Sequence, residues 1–234
     1  MANMNNPRTI SIVVPALNEE ANIAGAIGQI VPAMDDRFAD WEIVLVNDGS
    51  TDATAAVMEK LATGNRHIRV VHNERNLGFG GAYKRGVAAA RFEYVMMVPG
   101  DNEHPTEGLV PILEAVGQAD IVLPYVVNPE VRPLFRRVAS RGFTTLMNLL
   151  FGLRIKYYNG LVVHRTALIR QISITTDGFA YQAEALVKLL KKGCSYVELG
   201  TTLTECKARN SKALKPKNLA VVVGSILKLY RQVK

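Results

Sequence analysis

The chain has 234 residues, 28 Lys+Arg and 21 Asp+Glu, for a formal charge of +7. That length makes one domain with a full hydrophobic core the default, and 48% apolar with 21% charged residues excludes a mainly disordered chain. Two cysteines, Cys194 and Cys206, exclude a disulfide scaffold and a Cys-rich zinc site, and fit a reducing compartment.

The first nine residues, through Thr9, are polar and lack the apolar run of a signal peptide. Ile10–Val14, Trp41–Val46, Ile68–Val71, Tyr94–Val98 and Ile121–Pro124 read as buried strands rich in Val and Ile. Helical stretches lie between them near 19–32, 52–63, 79–91 and 106–117. This alternation implies an α/β fold, a mostly parallel, Rossmann-like sheet with helices on both faces. Ligands in such sheets bind at the carboxyl ends of the strands. After Pro124 the rhythm changes. Val131–Leu153 reads as one long or two short helices, Tyr157–Val163 as a strand, Ala180–Lys192 as a helix and Ser195–Leu199 as a strand. Lys207–Lys217 reads as a mobile basic loop, and Asn218–Lys234 as a final amphipathic helix. Leu219–Leu229 comes closest to a membrane span, but Ser225 and Lys228 interrupt it well short of the ~18–20 apolar residues required. With no repeat and no linker, residues 1–234 are expected to form one domain, cytoplasmic or peripheral on the cytoplasmic face of a membrane.

Three strands end in polar side chains. Pro15-Ala16-Leu17-Asn18-Glu19-Glu20 follows the first, Asn47-Asp48-Gly49-Ser50-Thr51-Asp52 the second, and Pro99-Gly100-Asp101-Asn102-Glu103-His104 the fourth. Carboxylates and amides there suit a nucleobase, a ribose or a divalent metal. Asp52 also suits the first turn of the next helix, with Ser50 or Thr51 as its cap. Asp101 and Glu103 are two apart, which in an extended segment aims both carboxylates to one side. Mg²⁺ is typically held by one or two carboxylates plus substrate phosphates. Asn76-Leu77-Gly78-Phe79-Gly80-Gly81 opens a helix but lacks the Lys-Ser/Thr of a P-loop, so a close-packed helix start is expected rather than a phosphate cradle.

The charge is split along the chain. Residues 1–130 hold 9 basic and 17 acidic residues, and residues 131–234 hold 19 and 4. Residues 131–176 contain 8 basic residues and no acid. Arg132, Arg136, Arg137 and Arg141 interleave there with Leu134, Phe135, Val138 and Phe143, a pattern that suits a helix in an anionic membrane interface. A core-packed helix with a basic outer face, or a dimer contact, is the alternative, and homo-oligomerisation stays open. Few aromatics in the basic stretches and no nucleic-acid motif argue against a nucleic-acid partner.

Together these segments resemble glycosyltransferase family 2, most closely the dolichol- or polyprenyl-phosphate glycosyltransferases, over about Thr9 to Ala213. The resemblance implies a GT-A fold with a nucleotide-sugar half, 1–130, and an acceptor- and membrane-facing half, 131–234. It implies an inverting, metal-dependent transfer from a UDP- or GDP-sugar to a polyprenyl phosphate. Pro15, Ala16, Asn18, Glu19, Asn47, Asp48, Gly78, Gly100, Asp101 and Asn102 would line the nucleotide-sugar site. Pro99 stands where the first acid of the family's Asp-x-Asp motif falls, which leaves Mg²⁺ or Mn²⁺ to Asp101 with Glu103. Asn47 occupies a position that is often Asp. Asn159-Gly160 with His164-Arg165 resembles the family's Ser-Gly-Phe-Arg region. Glu184 lies on a helix that carries an acid in the family and is the candidate base if the acceptor is a sugar hydroxyl. Ser211-Lys212 matches a phosphate-binding segment whose Arg position falls on Cys206, so Arg209, Lys207 and Lys212 would supply the charge over the phosphates. Arg132, Arg136, Arg137 and Arg141 would face the acceptor or the membrane. A soluble member of the family with a saccharide acceptor, and a nucleotide-sugar-binding protein without catalysis, are the competing expectations.

Overall fold

The computed structural model describes residues 8–34, 36–202 and 216–233. Seven strands form one sheet: β1 (Thr9–Ala16), β2 (Asp40–Asn47), β3 (Ile68–His72), β4 (Tyr94–Met97), β5 (Ile121–Val126), β6 (Val163–Arg165) and β7 (Tyr196–Thr201). Their order is β3-β2-β1-β4-β6-β5-β7. β6 runs antiparallel to both neighbours, and the other pairs are parallel. The helices are α1 (Ile23–Met34), α2 (Thr54–Gly64), α3 (Phe79–Ala89), α4 (Thr106–Glu114), α5 (Leu134–Phe151), α6 (Thr166–Arg170), α7 (Tyr181–Lys191) and α8 (Pro216–Val233).

Alternation along each strand sends side chains to opposite faces. Ile10, Ile12 and Val14 join Ile43 and Leu45 in one core, covered by Ile27 of α1, Met58 of α2 and Leu109 of α4. Val13 joins Val44 and Val46 in the other, covered by Tyr83 of α3, Met147 of α5, Leu186 of α7 and Leu229 of α8. Helices thus cover both faces, and the central strands are buried on both, which is why they read as continuous Val/Ile runs.

α5 is different. It is one helix straight through Gly142, closed by Gly152 in the left-handed conformation (φ +60°). Only Met147 and Phe151 are buried, while Leu134, Phe135, Val138 and Leu149 are 62–78% exposed. No helix among the described residues is long and apolar enough to cross a membrane.

The expected strand over Tyr157–Val163 is a correction: the ladder holds only Val163–Arg165. The residues before it are tied elsewhere. Asn148 of α5 donates to the Ile155 carbonyl (2.8 Å) and accepts from the Tyr158 hydroxyl (3.0 Å). Arg132 donates to the Tyr157 hydroxyl (3.0 Å). Gly160 lies so close to Pro124 that a Cβ would stand 2.5 Å from its carbonyl oxygen. α6 and the 3-10 turn Pro129–Val131 were not anticipated, being too short to show a period. Most of the expected basic loop lies outside the described residues, and its last two, Pro216 and Lys217, open α8, where proline fits the first turn.

Candidate active site

The sheet order places the carboxyl ends of β2, β1 and β4 side by side. Hydrogen bonds join them directly, Asp48 N–H to the Ala16 carbonyl (3.0 Å) and Gly100 N–H to the Pro15 carbonyl (3.1 Å). Pro15 and Ala16 are buried. A Cβ on Gly100 would fall 2.8 Å from the Ile23 Cδ1 and 3.1 Å from the Ala16 Cβ, so glycine eases the close approach of the β4 end to α1 and β1.

Most polar groups at the first two ends bind one another. Asn18 is left-handed (φ +55°), its N–H donates to Ser50 Oγ (3.1 Å), and its Oδ1 accepts from Thr51 N–H (2.8 Å). Glu19 N–H donates to Thr54 Oγ1 (2.8 Å), and its carboxylate accepts from the Asn22 amide (2.5 Å). Glu20 N–H donates to Asp52 Oδ2 (3.3 Å), and Ala53 N–H to Glu20 Oε2 (2.7 Å). Asp52 also accepts the N–H (3.0 Å) and hydroxyl (2.5 Å) of Thr54, and these bonds hold its carboxyl below the usual range. Asp52 therefore serves the α2 start itself, and the expected caps Ser50 and Thr51 turn to Asn18 instead.

Asn47 uses both ends of its amide. Its Oδ1 accepts from Ser50 N–H (3.1 Å), and its Nδ2 pairs with His72 Nδ1 (3.1 Å). Asp48 is 4% exposed and accepts from Asn73 Nδ2 (2.8 Å), Leu77 N–H (2.9 Å) and Gly78 N–H (3.1 Å). It thereby fixes the turn that opens α3. Gly78 (φ +81°) and Gly80 in that turn press on the carbonyls of Asp177 and Thr176, so the glycines serve close packing there.

The β4 end departs from its expectation. Residues 100–102 turn, with Asn102 left-handed (φ +59°), so Asp101 and Glu103 do not lie on an extended segment. Their spacing alone therefore does not aim both carboxylates together. Instead Glu103 N–H donates to Asp101 Oδ1 (3.2 Å), and the Asn102 amide packs against Gly25 of α1. Among the described residues, no three His, Cys, Asp or Glu side chains cluster as a metal site. A half-exposed carboxylate at a strand end still fits Mg²⁺ or Mn²⁺ that takes its other ligands from phosphate and water. His104 sits beside this carboxylate. Burial pushes its pKa down, the Asp101 charge opposes that, and the Arg132 charge adds to it. Arg132 thus brings the basic half to the β4 end, held by Tyr157, which no motif had singled out.

Arg136 and Arg137 are half-exposed and Arg141 is exposed along α5. His164 lies away from the strand ends, paired with Val95 and Ile121 inside the sheet, and burial pushes its pKa down to about 3. Arg165 ion-pairs with Glu93 (2.8 Å) and Asp120 (3.3 Å). Glu184 is 2% exposed. Burial pushes its carboxyl up, but Lys188 and the Thr175 and Thr176 donors outweigh this and hold it down to about 2. The carboxylate of this expected base is thus engaged with donors from Thr175, Thr176 and Lys188. Cys206, Lys207, Arg209, Ser211 and Lys212 lie outside the described residues.

A mostly parallel sheet with three polar strand ends side by side is the arrangement of the GT-A glycosyltransferase fold. The family model described as Glycosyl transferase family 2 matches residues 11–179, and the chain belongs to that family. It is 28% identical over 214 residues to polyprenol monophosphomannose synthase of Mycolicibacterium smegmatis, covering 86% of this chain and 79% of that protein. It is 25% identical over 169 residues to dodecaprenyl-phosphate galacturonate synthase of Rhizobium johnstonii, covering 70% of this chain and 50% of that protein. The chain thus spans about half the length of this second relative. A structure of glucosyl-3-phosphoglycerate synthase from Mycobacterium tuberculosis, with Mn²⁺, uridine diphosphate and glucosyl-3-phosphoglycerate, has a TM-score of 0.71 at 23% identity. That match covers 96% of this chain and 80% of the other, and is a likeness of fold.

Proposed function

We propose that this chain transfers a sugar from a UDP- or GDP-sugar to a polyprenyl phosphate at an anionic membrane surface, with inversion at the anomeric carbon. One observation supports the reading: the charge of Arg132, just before α5, reaches His104 beside the β4 end. The polar ends of β2, β1 and β4 lie side by side, and Arg132 leads from the β4 end into α5. The exposed side of α5 combines Leu134, Phe135 and Val138 with Arg141, and the half-exposed Arg136 and Arg137 lie on its flanks, a chemistry suited to lipid headgroups. The polyprenyl substrates named in the relatives support the same reading.

In this reading the strand ends from Pro15 to Glu19 and at Asn47 and Asp48 hold the nucleoside, with Gly78 at its edge. Asp101, with Glu103, would hold Mg²⁺ or Mn²⁺, which when bound offsets charge growing on the departing diphosphate. An oxygen of the acceptor phosphate forms the bond to the anomeric carbon as that carbon's bond to the diphosphate oxygen breaks. The nucleoside diphosphate leaves with the electron pair. Arg132, with Arg209 and Lys212, would neutralise the phosphates, and the Ser211 hydroxyl would donate a hydrogen bond to them. The acceptor phosphate is already ionised near neutral pH and needs no strong base, in keeping with the engaged carboxylate of Glu184.

The test offers UDP- and GDP-sugars with undecaprenyl phosphate or with free saccharides, and follows nucleoside diphosphate release. Release that needs the lipid phosphate and a divalent metal, and that Asp101→Asn abolishes, is the expected outcome. Release with saccharides alone overturns the lipid acceptor, and near-parental turnover in Asp101→Asn overturns the metal assignment.

A further inference from the structure

Glu184 lies in the first turn of α7, yet its carboxylate faces a neighbouring segment rather than the strand ends. Its Oε1 accepts from Thr175 N–H (2.9 Å), the Thr175 hydroxyl (3.1 Å) and Lys188 Nζ (2.6 Å), and its Oε2 accepts from Thr176 N–H (2.9 Å). Lys188 Nζ also donates to the Ser173 carbonyl (2.7 Å). Residues 173–176 are thus pinned to α7. Their other side meets the α3 turn. The Asp177 carbonyl accepts from Gly80 N–H (2.7 Å), and a Cβ would stand 2.8 Å from it on Gly78 or 2.6 Å from the Thr176 carbonyl on Gly80. Lys84 of α3 closes the same contact, donating to Asp177 Oδ1 (2.6 Å) and the Ile174 carbonyl (3.2 Å). The turn in its turn hangs on Asp48 through Leu77 and Gly78. Contact is unbroken from Glu184 to the β2 end.

We infer that Glu184 is a positioning residue for the donor nucleotide: it sets segment 173–177, against which Gly78–Gly80 rests, and so holds the Asp48 edge of the nucleotide site. The inference rests on the nucleotide-sugar reading above. Backbone meets backbone at both glycines, so the two segments move together. If 173–177 drifts outward, the turn is left on that side to the ring contacts of Phe79 with Phe179 and Tyr181, and the amides of Leu77 and Gly78 loosen from Asp48. Glutamine at 184 would cause such a drift. It keeps the size but turns an amide N–H toward N–H or N–H₃⁺ donors, leaving at least one unpaired.

The test uses the full chain with Glu184→Gln, and with Lys84→Met, which releases the same contact from the half-exposed α3 side. Hydrogen exchange at Leu77–Gly80 is followed without ligand, and UDP and GDP are each titrated with Mn²⁺. Glu184→Gln is expected to speed exchange at these amides and to weaken nucleotide binding about tenfold. Lys84→Met is expected to move both readouts the same way, by about threefold. Turnover at saturating donor falls by less than about threefold, whereas loss of a general base costs about 10²–10⁴ in turnover. A parent that binds neither nucleotide overturns the donor reading and this inference with it. A parent that binds, with parental exchange and affinity in Glu184→Gln or in Lys84→Met, overturns this inference alone. A hundredfold loss of turnover at unchanged KM restores Glu184 as the base and overturns it too.

Discussion

Asp48→Asn isolates what the β2 carboxylate does. The parent side chain is 4% exposed and accepts three hydrogen bonds, two of them from the backbone of the α3 turn. Asparagine in the same rotamer keeps Oδ1 for Asn73 and Leu77, but turns an N–H₂ toward the Gly78 N–H. Losing one charge-assisted bond costs about 1.5–3 kcal/mol, and the two that remain fall to neutral strength, about 1 kcal/mol each. Gly78 N–H also donates to Asn76 Oδ1 (2.8 Å) and is half-buried, so that acceptor and water return part of this. A net loss of about 3 kcal/mol follows, which for a chain of this size lowers Tm by roughly 6–12 °C. Flipping the amide is worse, since it sets the N–H₂ against two donors. Thermal unfolding followed by circular dichroism reads the shift, and hydrogen exchange at Leu77 and Gly78 locates it. Asp52→Asn is the control, expected to cost less because its carboxylate sits at the surface and its lost bonds are recovered from water. A Tm within about 2 °C of the parent, with Leu77 and Gly78 still protected, would refute the assignment of the turn to Asp48.

Replacing Arg136, Arg137 and Arg141 together by Ala should weaken binding to anionic vesicles by about 3 kcal/mol at low salt, roughly 150-fold. The parent's binding should fall steeply with added salt. Sedimentation with vesicles rich in phosphatidylglycerol measures both, and a parent that ignores such vesicles sinks the membrane reading. The pH dependence follows from Glu184, whose carboxyl is held down to about 2 from 4.5. A depressed folded pKa gives stability that is present above pH 4.5 and is lost as the pH falls toward 2, roughly 3 kcal/mol here. Glu42 acts in the same direction: burial pushes its carboxyl up, but Arg69, Ser11 and the Arg91 N–H hold it down. Urea unfolding between about pH 6 and 2.5 should show this loss in the parent and a shallower one in Glu184→Gln. Equal slopes in the two proteins would be the contrary result.

The first half of the fold was legible because its strands are buried on both faces. A strand such as Ile43–Val46, with every side chain in one core or the other, has to be apolar throughout, and that run is visible without a structure. The second half was less legible because its segments are short or are placed by side chains. Tyr157–Leu161 carries enough apolar residues to read as a strand, but the hydrogen bonds from Asn148 and Arg132 draw it toward α5. Those partners lie 7–25 residues away in sequence, and no periodicity reports them.

The site was legible as a location more than as a set of roles. Polar residues after three parallel strands mark where a ligand can sit, since helices and neighbouring strands cover the rest of the sheet. What each residue does depends on where its donors come from, and the decisive donors are remote. Asp48 is answered by Asn73, Leu77 and Gly78, and Glu184 by Thr175, Thr176 and Lys188. Both carboxylates carry charge that is already compensated by N–H groups. The same holds for Glu20 and Asp52, which accept backbone N–H groups across the β1 and β2 ends. This bears on the acidic surplus of residues 1–130, which would otherwise repel a diphosphate. Acids spent on backbone donors present little net field to a ligand, whereas a half-exposed one keeps its field for a cation. Asp101 is half-exposed at the β4 end, and its charge acts on His104, which the Arg132 charge also reaches. Among the described residues, the charge asymmetry of the chain therefore meets at His104, which feels the Asp101 carboxylate from the acidic half and the Arg132 guanidinium from the basic half; in the proposed reading a metal-bound diphosphate and an incoming phosphate would meet there.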